Sequence, residues 1–176
     1  MCDICNGKTI GEYLDGQRDT LAQYGWSIQA VGFGEDEDGA LPWAYTIGLA
    51  AGFGHPELVV CGHDIRLAAQ LLNGMGDDVR AGTLFAAGEV EERLGRTIRL
   101  RAVHRSHFHR TRRFAGWIEY YDTFGPPPTA QAIQLVLPDG CACHRQPDLS
   151  LPVPLAGGAV RDDAATGFRP RAHHRA

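Results

Sequence analysis

Lysine is nearly absent from this chain of 176 residues: Lys8 stands alone against sixteen arginines. The skew is compositional, and no chemistry is assigned to it. Long apolar runs are also missing. Those present are short and hold glycine, so no segment reads as a membrane span. The first residues lack a basic stretch followed by an apolar core, so no secretory signal is expected. Five cysteines make an odd number, and without an export signal a disulfide framework is not expected; the reading is a reducing, cytoplasmic compartment. Several signatures of chemistry are absent. There is no glycine-rich phosphate loop with lysine, no nucleophile elbow, no dinucleotide fingerprint and no histidine pair around a glutamate on a helix.

What is present is a globular composition, 44% apolar and 22% charged, in a length suited to one domain with one sizeable core. Charge is uneven. Residues 1–92 carry 15 acids and four bases, whereas residues 93–176 carry six acids and 13 bases. The halves can compensate each other on one surface, or the basic half can meet an anionic ligand.

Thr9 followed by Glu12 has the spacing of a capping box, with Ile10, Tyr13, Leu14 and Leu21 at helical intervals and Gly25 as a stop, which predicts a helix over 9–24. Strands are predicted at 26–33 (WSIQAVGF), 43–49 and 57–61. Between the first two lies an acidic loop, Gly34 to Ala40, whose four acids lack the twelve-residue calcium pattern and read as a hairpin turn. Asp64 caps a second helix with Ile65, Leu67, Ala68, Leu71, Leu72 and Met75 on one face, ending near 80–82. A half-exposed strand follows at 97–103, a helical stretch at 114–121 and a last strand at 132–137; residues 85–95 give no clear pattern. Closely spaced strands favour hairpins over helical crossovers. The expected fold is α+β: one domain over 1–156, a mixed or antiparallel sheet of five to six strands with two to three helices. Residues 157–176 lack periodicity and are expected to be a disordered tail.

The stretches CDICNGKTIGEYL, GWSIQAV and PWAYTIGLAAGFGHPELVVCG, with HRSHFH and AIQLVLPDG later, resemble a bacterial family known only as domain of unknown function 4262. The resemblance covers residues 2 to about 140. It implies a fold and no settled activity. Members close with an aromatic-rich stretch after the aspartate-glycine turn; this chain has GCACHRQPDL there, so no role for Cys141 or Cys143 is carried over.

Cys2 and Cys5 have the spacing of one arm of a zinc knuckle, and zinc needs four soft or borderline ligands in a tetrahedron. The further candidate ligands are Cys141, Cys143, His104, His107 and His109; if 107–109 is extended, His107 and His109 face one side. The other readings of Cys2 and Cys5 are free or packed thiols, and a thioredoxin-like dithiol, which fits least because no strand precedes it. The stretch RAVHRSHFHRTRR (101–113) holds three histidines and five arginines with no acid between them. Arg101, Arg105 and Arg110 are the candidate anion ligands, and the rival reading is an exposed basic loop that pairs with the acidic half. His55, His63 and Cys61 read as locally satisfied or buried groups, and Trp43 and Tyr45 as core, with Thr46 and Gly48 small enough to admit a ligand. The resulting expectation is a cytoplasmic protein with a structural zinc site and a His/Arg anion-binding patch. The alternatives are a module that docks an acidic protein partner through the basic patch, and a metal-assisted hydrolase. An anionic small molecule also suits the patch; nucleic acid and membrane are not expected partners.

Overall fold

The computed structural model describes residues 7–32, 42–110, 112–125, 131–138 and 147–153, with side chains at all of these but 109, 110 and 112. Helix α1 (Ile10–Tyr24) starts on the capping box read from the sequence: Thr9 Oγ1 accepts from the Glu12 amide and Glu12 reaches back to the Thr9 amide. It stops at Gly25, whose φ of 92° suits a left-handed cap. Two antiparallel strands follow, β1 (Ser27–Val31) and β2 (Trp43–Ile47). The acidic residues 35–38 that join them lie outside the described residues, as does the expected tail at 157–176.

The strand predicted over 43–49 ends at Ile47. Gly48 takes a φ of 118°, which breaks the extended chain, and a short helix α2 (Leu49–Phe53) occupies the place of the expected turn. Strand β3 (Glu57–Cys61) is wholly buried. Helix α3 (Ile65–Arg80) is capped by Asp64, which accepts from the Arg66 amide. The unclear stretch before Arg96 contains a hairpin of β4 (Val90–Arg93) and β5 (Arg96–Ala102). Leu94 and Gly95 turn it with φ of 52° and 69°, a two-residue loop whose twist matches the strands. Helix α4 (Ser106–Arg110), a 3-10 turn at Arg112–Phe114, helix α5 (Ala115–Phe124) and strand β6 (Ala132–Val136) complete the described elements.

The six strands form one mixed sheet in the order β1-β2-β3-β6-β5-β4, with β3 and β6 parallel and the other neighbours antiparallel. The α+β class and mixed sheet are as expected; five helices stand where two or three were. One face packs against α3: Ala44, Leu58, Val60, Leu100 and Leu135 meet Leu71, Leu72 and Met75. The other, with Tyr45, Val59, Cys61 and Ala132, is covered by Leu14 of α1, Phe108 of α4 and Trp117 and Tyr121 of α5. Trp26 lies so close to α3 that a Cβ at Gly76 would sit 2.6 Å from its ring. No helix among the described residues is long and apolar enough to cross a membrane.

Candidate functional site

The basic segment does not form the extended ligand strip that one sequence reading offered. Residues 106–110 are helical, so the geometry that would set His107 and His109 side by side is not formed. Three residues separate the end of β5 at Ala102 from helix α4: Arg105 is exposed, and Ser106 and His107 turn buried. Most of the polar groups here hold the segment 147–153 against the sheet. The His104 amide donates to the Leu149 carbonyl at 2.7 Å. His107 is buried and its Nε2–H donates to the Leu151 carbonyl at 3.0 Å. Ser106 Oγ accepts from the Val153 amide at 2.8 Å and lies 2.8 Å from His104 Nδ1. Below them, Gln134 on β6 holds Pro147 and Leu149 through its amide group. Burial pushes His107 below the usual imidazole range, against the pull of the Leu151 carbonyl. The ring is therefore neutral near pH 7 and acts as a clamp on the backbone.

The arginines divide. Arg101 is spent on Asp148 at 2.8 Å, an exposed pair. Arg105 is exposed and its side chain makes no ion pair among the described residues. Arg110 lies on α4, its side chain outside the description. Arg99, not singled out from the sequence, is exposed like Arg101 and faces the same side of β5, also without an ion pair among the described residues. Cys2, Cys5, Cys141 and Cys143 lie outside the described residues, and no side chain of His109 is described. Among the described residues no group of three or more His, Cys, Asp or Glu side chains is placed to hold a metal ion.

A polar knot that the sequence reading missed lies inside the core. Glu57 opens β3 and is fully buried. Its carboxylate accepts from Thr46 Oγ1 at 2.7 Å, from the amides of Gly48, Leu49 and Ala50 at 2.9 to 3.3 Å, and from the Tyr121 phenol at 3.2 Å. Thr46 Oγ1 in turn accepts from the Leu58 amide at 2.9 Å. The carboxylate thus caps α2 from the strand that follows it. It also ties β2, β3 and α5 at one point. Burial pushes Glu57 up to about 7, with Thr46 and the three amides pulling the other way. The close approach expected at Thr46 and Gly48 is filled by the chain's own glutamate. A lone carboxylate heading an apolar strand was the available signal.

His55 is locally satisfied, as its place at the strand end suggested: Nε2 accepts from the Phe85 amide at 3.0 Å and Nδ1–H donates to the Pro56 carbonyl at 2.6 Å. Cys61 is buried, which pushes its thiol up to about 12 and leaves it inert. On the opposite side of the sheet an open groove of about 430 Å³ runs between α1, β1 and α3, with Tyr24, Trp26, Asn73 and Arg80 in its walls. Its polar groups are mostly engaged. Trp26 Nε1–H donates to Asn73 Oδ1 at 3.2 Å, and Arg80 lies over the Trp26 ring while paired to Asp77.

This chain belongs to the family described as domain of unknown function (DUF4262), whose model matches residues 20–142. The match takes in the sheet, the Glu57 knot and the basic segment; Cys2, Cys5 and the segment 147–153 fall outside it. No curated protein and no solved structure matches the chain.

Proposed function

We propose that this protein is a docking module that binds an acidic, extended segment of a partner protein on the outer face of β5. The observation that carries this reading is the pair Arg99 and Arg105, exposed on either side of Arg101 and making no ion pair among the described residues. Arg99 and Arg101 are two apart on a strand, about 7 Å. With Arg101 taken by Asp148, one acid of an extended peptide can meet the Arg99 guanidinium in a two-point contact and a later one can meet Arg105. Asp148 holds Arg101 at the middle of the row. Val90, opposite Arg99 and exposed, supplies an apolar neighbour. The His107 side chain is absorbed in holding 147–153 and that of His104 is engaged with Ser106, which favours docking over acid–base work.

The experiment is a comparison of wild type with R99E/R105E for binding a fluorescent glutamate-rich peptide. These two positions leave the Arg101–Asp148 pair intact. Loss of binding in the variant supports the reading, and equal binding refutes it. The zinc expectation is a separate proposal resting on Cys2 and Cys5 in the sequence. Its check is elemental analysis of the chain cut at about residue 157: one equivalent of zinc, lost in C2S/C5S, is the expected result, and no stoichiometric metal retires it.

A further inference from the structure

Among the described residues the sheet has two edges, β1 and β4. Proteins guard an edge strand against pairing with charge, proline or shortness. Strand β4 has four residues and carries Glu91, Glu92 and Arg93. Strand β1 lacks such guards. From Trp26 to Phe33 the chain reads WSIQAVGF, with no charged residue and no proline.

The register fixes which backbone groups β1 turns outward. The Gly62 amide donates to the Pro42 carbonyl at 2.7 Å, so the even residues of β2 face β3. The odd ones face β1, where Tyr45 stands opposite Gln29. Ladder bonds alternate along an antiparallel strand. The N–H and C=O groups of Ser27, Gln29 and Val31 therefore turn to β2, and those of Ile28 and Ala30 turn out over the edge. Among the described residues the Ala30 carbonyl accepts from the neighbouring Gln29 side chain alone, at 3.3 Å. Ala30 is exposed and Ile28 is half-buried, so the edge is open. The groove between α1 and α3 runs beside it, with Ser27 and Ile28 in its lining. A backbone row of this kind is completed by another strand, about 4.8 Å away.

Strand β1 is its own complement. In an antiparallel pair about a two-fold axis at Gln29, Ile28 of each copy meets Ala30 of the other. Just beyond the strand ends, Trp26 falls beside Gly32. A large residue stands opposite a small one each time. The pairing strands are uncharged, so no charge meets its like across the axis. Ile28 and Ala30 exchange both ladder bonds, which satisfies their outward groups. We propose that this protein is a dimer in which the β1 strands of two copies pair antiparallel at Gln29 and join the two sheets into one. The contact is isologous and closes at two copies. It does not involve the β5 face.

The test is sedimentation of the full chain over a concentration series, with hydrogen exchange read at the Ile28 and Ala30 amides. Wild type is expected to form a reversible dimer below about 0.1 mM, with both amides protected in it. A30P removes the Ala30 donor from both copies, at a place where an edge strand tolerates proline. A30K sets a charge there. Each should weaken the dimer by about tenfold or more and leave the far-ultraviolet spectrum unchanged. R99E/R105E should dimerise like wild type, which separates this contact from the docking face. A wild type that stays monomeric at about 0.1 mM overturns the proposal; if its two amides are protected, another segment of the same chain covers the edge. A dimer whose two amides exchange freely overturns it too, as does a folded A30K that dimerises like wild type. Should A30P fail to fold, A30K and the wild-type exchange decide.

Discussion

Glu57 is the residue on which most of the local order turns, and its behaviour is checkable by pH. Its folded value of about 7 stands above the ordinary 4.5. Stability from this group is therefore complete below about pH 4.5 and is lost as pH rises through 7. In E57Q no group titrates there, so the fall in stability between pH 5 and 7 should be shallower than in wild type by up to about 1.4 kcal/mol per pH unit. Urea melts across that range make the comparison, and parallel profiles would contradict this account of Glu57. At pH 5 the amide should itself cost about 1–3 kcal/mol, because an NH2 group then faces donors from Gly48, Ala50 or Thr46. T46V should cost a similar amount, since it strands the buried Leu58 amide and leaves one carboxylate oxygen with only the Leu49 amide. At this scale the sequence was uneven. The Thr9–Glu12 box was legible because its partners are three residues apart. The Glu57 knot was not, because Tyr121 joins it across 64 positions, which no local spacing can announce.

Among the elements, α3 offers a paired prediction. A Cβ at Gly76 would lie 2.6 Å from the Trp26 ring, whereas nothing lies within 4 Å of a Cβ at Gly74. G76A should destabilise by about 1–3 kcal/mol through overpacking and shift the Trp26 emission. G74A should stabilise by up to about 1 kcal/mol through helix propensity. Chemical melts of both settle it; a G76A protein as stable as G74A would show that Trp26 does not sit on α3 as described. The long elements were readable because amphipathic period and caps agree, as in α1 and α3. Those missed were short or overridden by distant contacts. Helix α2 has only five residues and is capped by the Glu57 side chain of the following strand rather than by a residue at its own start. Strand β4 has four residues, all exposed or half-buried, and so lacks an apolar pattern. In α4 the His and Arg side chains mask a turn fixed by segment 147–153.

For the whole molecule, helices pack on both faces of the sheet, and exposed residues remain on β5 and β4 at one edge. The division of charge seen in the sequence is partly an internal matter. Arg93 of the basic half pairs with Asp78 of the acidic half at 2.5 Å. Arg99 and Arg105 have no such partner among the described residues. That surplus was legible as a basic stretch, but its use was not, since only the fold shows that the side chains of His104 and His107 are taken by Ser106 and Leu151. The most direct measurement of the docking claim is the dissociation constant of a labelled glutamate-rich peptide over a salt series. The account predicts saturable binding that weakens steeply as salt rises and screens the charge-assisted contacts, with both the affinity and its salt dependence reduced in R99E/R105E. Binding that is indifferent to salt, or equal in the variant, would contradict it.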